Sequence, residues 1–380
     1  MRAHITGWGK FVPAQVLTND DLTQIVDTSD EWIHTRTGIA ERHIASDDET
    51  TSTMALQAAR QALGVAALKP SHLDLIIVAT ATPDYLFPST ACLVQDALGA
   101  SRAAAFDLSA GCTGFVYGLS VAADLISSGA YENALIIGAE TLSRIVDWSD
   151  RATCVLFGDG AGAVVLQANG AEGGVLSTVL GSDGSGANLL RLPAGGSYEP
   201  ASHHSVAEGR HYLKMRGREV FRFAVRTLPA ATRLVLERAG LTLAELNLVI
   251  PHQANQRIIE ASTRSLGLPP EAVFSNLERY GNTSAASIPI ALCEAIEKKR
   301  VKQNDLLVCV GFGAGLTWGA TAVRWSMPLP PQPISPWRRI WQKLRYFYAA
   351  ARSSVRRLLR WLLALGTNWK GSDGHTNHDK

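Results

Sequence analysis

The sequence predicts a layered α/β protein built from two related halves. Short apolar, β-branched runs alternate with stretches of helical period, which is the pattern of strands covered on both faces by helices. The runs are Leu73 to Thr80, Asn133 to Gly138, Leu246 to Pro251 and Leu306 to Val310, and the helical stretches include 52–64, 115–129, 219–239 and 285–300. The chain also repeats itself. LDLII at 73 returns as LNLVI at 246, Gly111-Cys112 as Gly281-Asn282, and Asn133-Ala-Leu-Ile-Ile as Asn304-Asp-Leu-Leu-Val, in order at offsets of 173, 170 and 171 residues. Chance similarity among αβ units is the competing explanation. A real repeat puts Cys112 and Asn282 at equivalent strand-to-helix corners. The halves are placed at 1–170 and 171–325.

After Trp325 the composition changes. Residues 326–336 contain five prolines and read as a stiff linker. Ser335-Pro336 is helix-start vocabulary, and apolar residues recur at helical spacing from Trp337 to Leu363 with arginines between them. A basic amphipathic helix is expected over 337–366, followed by a polar tail at 367–380. The tryptophans and arginines suit a membrane surface. Docking to an acidic protein or to the chain's own body, and a disordered arm, are the other readings.

Composition narrows the class further. The 380 residues are enough for two domains, and 46% apolar with 18% charged residues reads as globular. Net charge is +2, unevenly spread: residues 326–380 hold ten Lys/Arg and two Asp, while residues 1–325 hold 26 Lys/Arg and 32 Asp/Glu. The tail is therefore expected to have a partner of its own. The five cysteines, at 92, 112, 154, 293 and 309, form no C-x-x-C pair, so no zinc site is expected. An odd, scattered set argues for a reducing compartment. There is no leader-like apolar run and no stretch of about 18 uncharged apolar residues, so a cytoplasmic protein is expected, held at most peripherally on a membrane. The glycine-rich words GFGAG and FGDGAG lack the spacing of phosphate loops, and no nucleotide cofactor is assigned.

Three residues stand out chemically. In Phe106 to Leu119, FDLSAGCTGFVYGL, small residues surround Cys112 just before a helical run. That position favours thiolate, and its N–H groups suit an oxyanion. His252 directly follows the strand ending at Pro251, where ligand groups collect in α/β sheets. Asn282 lies in Tyr280-Gly281-Asn282-Thr283-Ser284. Each alone also fits a bland role: a buried thiol, a bonded loop histidine, a turn asparagine.

Together they are more specific. TSDEWIHTRTGIAER at Thr28 to Arg42, SAGCTGFVYGL, FGDGAGA at Phe157 to Ala163, HQANQRI at His252 to Ile258, YGNTSAASIP at Tyr280 to Pro289 and GFGAGLTWGA at Gly311 to Ala320 occur in order over residues 1–325. The set resembles the β-ketoacyl-acyl-carrier-protein synthase III family of the thiolase superfamily. The resemblance implies a five-layered αβαβα fold and a homodimer. It implies an acyltransferase of fatty-acid synthesis: Cys112 takes an acyl group from acyl-coenzyme A, and malonyl-acyl-carrier protein then condenses on it with loss of carbon dioxide. His252 and Asn282 would hold the enolate, and the N–H groups of Cys112 and Ala314 the oxyanion. Trp32, Arg36, Arg151, Phe221 and Asn255 would contact coenzyme A, which is a substrate, so that no cofactor and no metal is expected. Arg218 stands where some relatives have Asn. Lys214, Gln253, Ala254, Asn255, Gln256 and Arg257 would meet the carrier protein, and the basic residues Lys214, Arg216, Arg218, Arg222 and Arg226 suit an acidic partner. Phe87, before Pro88, would line the acyl pocket across the dimer interface and shorten it. No nucleic acid is expected as a partner. A condensing or acyl-transfer enzyme of specialised metabolism, and a cysteine thioesterase, are the rival functions.

Overall fold

In the structure, a computed structural model, residues 1–327 and 336–369 are described. Nine strands form two sheets: β1 Arg2–Phe11, β2 Leu75–Ala79, β3 Ala104–Leu108, β4 Asn133–Glu140, β5 Gly160–Asn169, β6 Gly174–Ser182, β7 Leu248–Pro251, β8 Leu306–Gly313 and β9 Thr317–Arg324. The eight longer helices are α1 Asp30–Thr37, α2 Thr51–Val65, α3 Thr90–Leu98, α4 Gly114–Ser127, α5 Gly217–Arg238, α6 Gln256–Leu266, α7 Ser287–Glu297 and α8 Pro336–Trp369.

The first sheet runs β1-β5-β4-β2-β3 and the second β6-β9-β8-β7. In both, two antiparallel pairings are followed by a parallel one: β4 with β2, and β8 with β7. Beyond β7, where the first sheet carries β3, a single parallel bridge joins Val249 to Val273. The same order therefore recurs, and the chain passes from one sheet to the other between Asn169 and Gly174.

Side-chain alternation builds the layers. Leu75, Ile77 and Ile136 point inward with Phe115 and Leu119 of α4 and Ile288 and Leu292 of α7, while Ile76, Val78, Leu135 and Ile137 point outward onto α2 and α3. The second sheet does the same, with Leu248 and Ile250 inward and Val249, Val308 and Val310 against α5. Period-2 alternation with apolar residues at every position requires a helix layer on both faces. The order is α2/α3, sheet, α4/α7, sheet, α5/α6, a five-layered αβαβα fold. The turn before α7 lies directly on the first sheet: a Cβ on Gly138 of β4 would lie 2.1 Å from the Ala285 carbonyl oxygen.

The repeat fixes a register that the sequence pattern misjudged. The 3₁₀ turn Gly111–Thr113 leads into α4, and its counterpart leading into α7 is Ser284–Ala286. Cys112 thus corresponds to Ala285, and Asn282 lies three residues upstream of the equivalent corner. The short GN match had aligned two turns rather than two helix starts.

The C-terminal helix spans Pro336–Trp369, longer at both ends than expected. Residues 328–335, most of the expected linker, and 370–380 of the expected polar tail lie outside the described residues. No described helix is long and apolar enough to cross a membrane.

Candidate active site

Three chain segments converge where α4 and α7 begin. Cys112 sits in the turn at the head of α4, 8% exposed. A Cβ on Gly313, at the end of β8, would lie 2.6 Å from the Cys112 nitrogen, and one on Gly111 would lie 2.8 Å from the Ala314 nitrogen. The nucleophile turn and the Gly313-Ala314 loop are in direct contact, with both N–H groups at that contact. Thr317 fastens the arrangement: its hydroxyl donates to the carbonyls of Ala110 at 2.9 Å and Ala314 at 3.1 Å.

His252 follows β7 and is 1% exposed. Its backbone N–H donates to Val310 of β8 at 2.8 Å, and its ring meets Phe312 edge-on at 5.4 Å. Nδ1 lies 2.7 Å from the Ser287 hydroxyl, and Nε2 has no hydrogen bond among the described residues. Burial lowers the imidazole pKa to about 3, so the ring is neutral at any physiological pH.

Asn282 is stitched to the first half. Its N–H donates to the Leu156 carbonyl at 2.8 Å, and its carbonyl accepts from the Gly158 N–H at 3.1 Å. The side-chain oxygen accepts from the Ser284 N–H at 2.9 Å, which leaves the amide Nδ2 as the free donor. The Ser284 hydroxyl lies close to the Cys112 thiol and favours its thiolate. One short segment, 282–287, therefore carries Asn282, a serine close to the cysteine and a serine hydrogen-bonded to the histidine.

The thiol is not poised as its position at a helix start predicts. Burial pushes the Cys112 pKa up to about 12, only partly offset by the Ser284 hydrogen bond, and the nearby Glu140 carboxylate raises it further. Desolvating a thiolate outweighs a helix terminus that carries about half a charge. Glu140 itself is fully buried and takes hydrogen bonds from the Ala81 N–H at 3.0 Å and the Thr82 hydroxyl at 2.6 Å. Sequence reasoning did not single out Ser284, Ser287, Thr317 or Glu140. The first two lie inside the YGNTSAASIP word, and hydroxyls there read as turn residues until their partners are seen.

The descriptions "3-Oxoacyl-[acyl-carrier-protein (ACP)] synthase III" and its C-terminal counterpart match residues 106–184 and 236–325. The β-ketoacyl-[acyl-carrier-protein] synthase III of Symbiobacterium thermophilum is 58% identical over 85% of this chain and 98% of its own length. That of Caldanaerobacter subterraneus subsp. tengcongensis is 55% identical over 85% and 98%. The crystal structure of 3-oxoacyl-[acyl-carrier-protein] synthase III from Aquifex aeolicus VF5 superposes with a TM-score of 0.79 at 52% identity, over 85% of this chain and 99% of that one. The chain belongs to the β-ketoacyl-[acyl-carrier-protein] synthase III family.

In this synthase III the residues expected at coenzyme A gather on α1 around the half-buried Trp32. The Arg36 and Arg151 guanidiniums lie 4.9 and 4.7 Å from the Trp32 ring centre. Arg151 also donates to the Asp27 carbonyl at 2.7 Å. Asn255 caps α6: its side-chain oxygen accepts from the Arg257 N–H, and its amide donates to the Arg36 carbonyl at 3.0 Å. Both ends of that side chain are thus used to join α6 to α1. Phe221 is half-buried, with the Arg257 guanidinium 5.9 Å from its ring centre.

Of the expected carrier-protein contacts, two are misplaced. Gln253 is 1% exposed, its amide donating to the Pro251 carbonyl and its oxygen accepting from Ser275 and Asn276. Ala254 is packed in the core of the second half. Neither is presented to a docking protein; Gln253 instead holds the loop that carries His252. Gln256 is half-buried, with Cβ against Gly38, and only Arg257 of this word is fully exposed. Lys214 pairs with Asp147 at 3.4 Å, and Arg218, Arg222 and Arg226 are exposed along one face of α5. Phe87 is 87% exposed in the single chain, beside Leu86 at 83%. Among the described residues, no group of three His, Cys, Asp or Glu is placed to hold a metal.

Proposed function

We propose that this chain starts fatty-acid synthesis by condensing an acyl-coenzyme A primer with malonyl-acyl-carrier protein. The observation that carries this reading is the 282–287 segment, which ties the nucleophile, a neutral histidine and a free amide donor into one buried site. Cys112 Sγ attacks the primer's thioester carbonyl, and coenzyme A leaves carrying the thiol proton. The oxyanion of that step sits on the Cys112 and Ala314 N–H groups. Malonyl-carrier protein then loses carbon dioxide. The enolate oxygen accepts hydrogen bonds from His252 Nε2–H and Asn282 Nδ2–H, both neutral donors in a dry site where such bonds are strong. The enolate carbon attacks the acyl-Cys112 carbonyl, and collapse of the adduct expels the Cys112 thiolate, which takes a proton from solvent, and releases the 3-oxoacyl product.

The Trp32, Arg36 and Arg151 platform suits the adenine and phosphates of coenzyme A, since guanidiniums stack on aromatic faces and pair with phosphate. The exposed row Arg218, Arg222, Arg226 with Arg257 suits an acidic carrier protein. A homodimer is supported by two exposed features: β3, which edges its sheet with Phe106 39% exposed, and the protruding Tyr85, Leu86 and Phe87. Peripheral contact of α8 with a membrane is supported by its composition: Trp337 to Trp369 contains eight Lys/Arg and no Asp or Glu.

The test is direct. Incubation with acetyl-coenzyme A and malonyl-carrier protein should yield the 3-oxoacyl product with one acyl group trapped on Cys112. Free acetate without condensation would indicate a hydrolase, and acylation of Cys92 or Cys154 would remove the proposed nucleophile.

A further inference from the structure

The terminal helix α8 is docked on the catalytic body, and it is docked by the wrong face for a helix seeking to bury its apolar side. The contact stripe is Tyr346, Ala349, Ser353 and Arg357. Arg60 of α2 lies 4.6 Å from the Tyr346 ring centre, and Ala349 packs on Gly99, where a Cβ would come within 2.8 Å of it. Ser353 is buried with its hydroxyl bonded to Asp96 of α3, and Arg357 pairs with the same carboxylate at 3.3 Å. The large apolar side chains are turned away: Phe347 is 75% exposed, Val355 54%, Leu358 54%, Leu359 52% and Leu363 70%. At about 100° per residue, Val355 lies roughly opposite Tyr346.

On one flank, between the docked stripe and the apolar stripe, helix and body enclose a cleft of about 340 Å³. Lys69, Ser71 and Ser101 line it from the body, and Arg352 and Arg356 from the helix. Asp96 also lines it but is already paired with Arg357. Among the described residues, Lys69, Arg352 and Arg356 have no ion pair. Three free cations and two hydroxyls in a cleft of this size suit a phosphate group.

We propose that this cleft binds the phosphate of an anionic lipid headgroup while the apolar stripe lies in the bilayer interface beside it. The proposal rests on the membrane-contact reading above and adds a site to it. The flank position is the argument for a lipid: a headgroup phosphate sits at the boundary between water and hydrocarbon, and the cleft opens at the boundary between the polar and apolar faces of α8. Charge favours the same occupant. Residues 1–325 carry a net −6 and would be repelled by an anionic surface, so the attraction must come from the tail and from body cations brought next to it, such as Lys69. With α8 fixed to α2 and α3, the catalytic body is held at the lipid surface in one orientation.

The experiment is co-sedimentation of the full-length protein with phosphatidylglycerol and with phosphatidylcholine vesicles. Lys69→Gln is the informative variant, because Lys69 is not on the helix. It should weaken binding to phosphatidylglycerol about fivefold, and R352Q/R356Q about 25-fold, at roughly a fivefold factor per cation near an anionic surface. K302Q, on an exposed loop, should match the wild type, as should the condensation activity of K69Q in solution. L359E/L363E should abolish vesicle binding. If the wild type does not bind phosphatidylglycerol vesicles, the membrane reading and the site fall together. If L359E/L363E loses binding while K69Q and R352Q/R356Q keep it, contact stands and the cleft is overturned. Displacement from vesicles by millimolar inorganic phosphate, at constant ionic strength, would assign the cleft to a free anion and overturn the lipid.

Discussion

Ser287 and His252 share a 2.7 Å hydrogen bond, hydroxyl to Nδ1, in a space from which water is excluded. With the serine hydroxyl donating, Nδ1 is the acceptor and Nε2 carries the hydrogen. That is the tautomer an enolate needs, since a neutral imidazole can donate from only one nitrogen. Ser287→Ala removes the bond that selects it. Decarboxylation of malonyl-carrier protein should drop by up to about 100-fold, the scale of losing one oriented donor. Acylation of Cys112 should change little. Equal losses in both half-reactions, with a lower Tm, would mean that Ser287 only props the fold.

The same burial predicts a pH dependence of stability. Unfolded His252 takes a proton as pH falls below about 6.5, while the folded imidazole resists until about 3. Through that window the unfolded state binds more protons, so stability falls as pH falls, by up to about 1.4 kcal/mol per pH unit from this residue. Carboxylates add their own dependence at the acid end, so the clean interval lies between pH 6.5 and 5. His252→Asn should flatten the denaturation midpoint against pH in that interval. An unchanged slope would show that the folded histidine is charged or solvated.

Glu140 supplies a third test. Its carboxylate raises the Cys112 pKa, and removing the charge should lower it. In Glu140→Gln, Cys112 should be alkylated by iodoacetamide faster than in the wild type between pH 7 and 9, followed by peptide mass spectrometry. An identical rate would indicate that burial, which raises the Glu140 pKa as well, already holds it neutral in the resting enzyme.

The parts of this architecture that were legible in the sequence are those written in local patterns. Leu75 to Val78 reads as a strand because every side chain is apolar, and both faces are indeed covered. Cys112, His252 and Asn282 were found because each stands in a distinctive word. What the words could not convey is direction and depth. Gln253 stands one residue from His252, yet its side chain turns into the protein and satisfies backbone groups of two loops, a fact set by tertiary contacts alone. The thiol's protonation escapes the sequence for a related reason: a helix start is visible there, but depth of burial is not. In α8 the amphipathic period is plain, but the residues that dock it are Tyr346, Ala349, Ser353 and Arg357, which lie off its stripe of large apolar side chains.

The primer preference follows from Phe87. In the single chain this ring is 87% exposed, and β3 is a sheet edge. An exposed Tyr85-Leu86-Phe87 run together with an unpaired edge is the composition of an interface. Paired with a second copy, Phe87 would enter the partner's acyl channel rather than its own. A ring there excludes longer chains by overlap, and overlap is steeper than lost attraction, so discrimination should exceed the usual 1–3 kcal/mol, or about 10–200-fold, for one methylene. Acetyl-coenzyme A should therefore be preferred over hexanoyl- and octanoyl-coenzyme A. Phe87→Thr should raise kcat/KM for octanoyl-coenzyme A while leaving that for acetyl-coenzyme A within a small factor. With Phe87 acting in trans, a purified heterodimer of F87T with a Cys112→Ala variant should retain one active site, the one that faces the single remaining Phe87 ring. That site has the intact Cys112 of the F87T chain and the Phe87 of the C112A chain, so the heterodimer should keep the short-chain preference. A purified heterodimer that accepts octanoyl-coenzyme A as the F87T homodimer does would place Phe87 in its own protomer's pocket and defeat the argument.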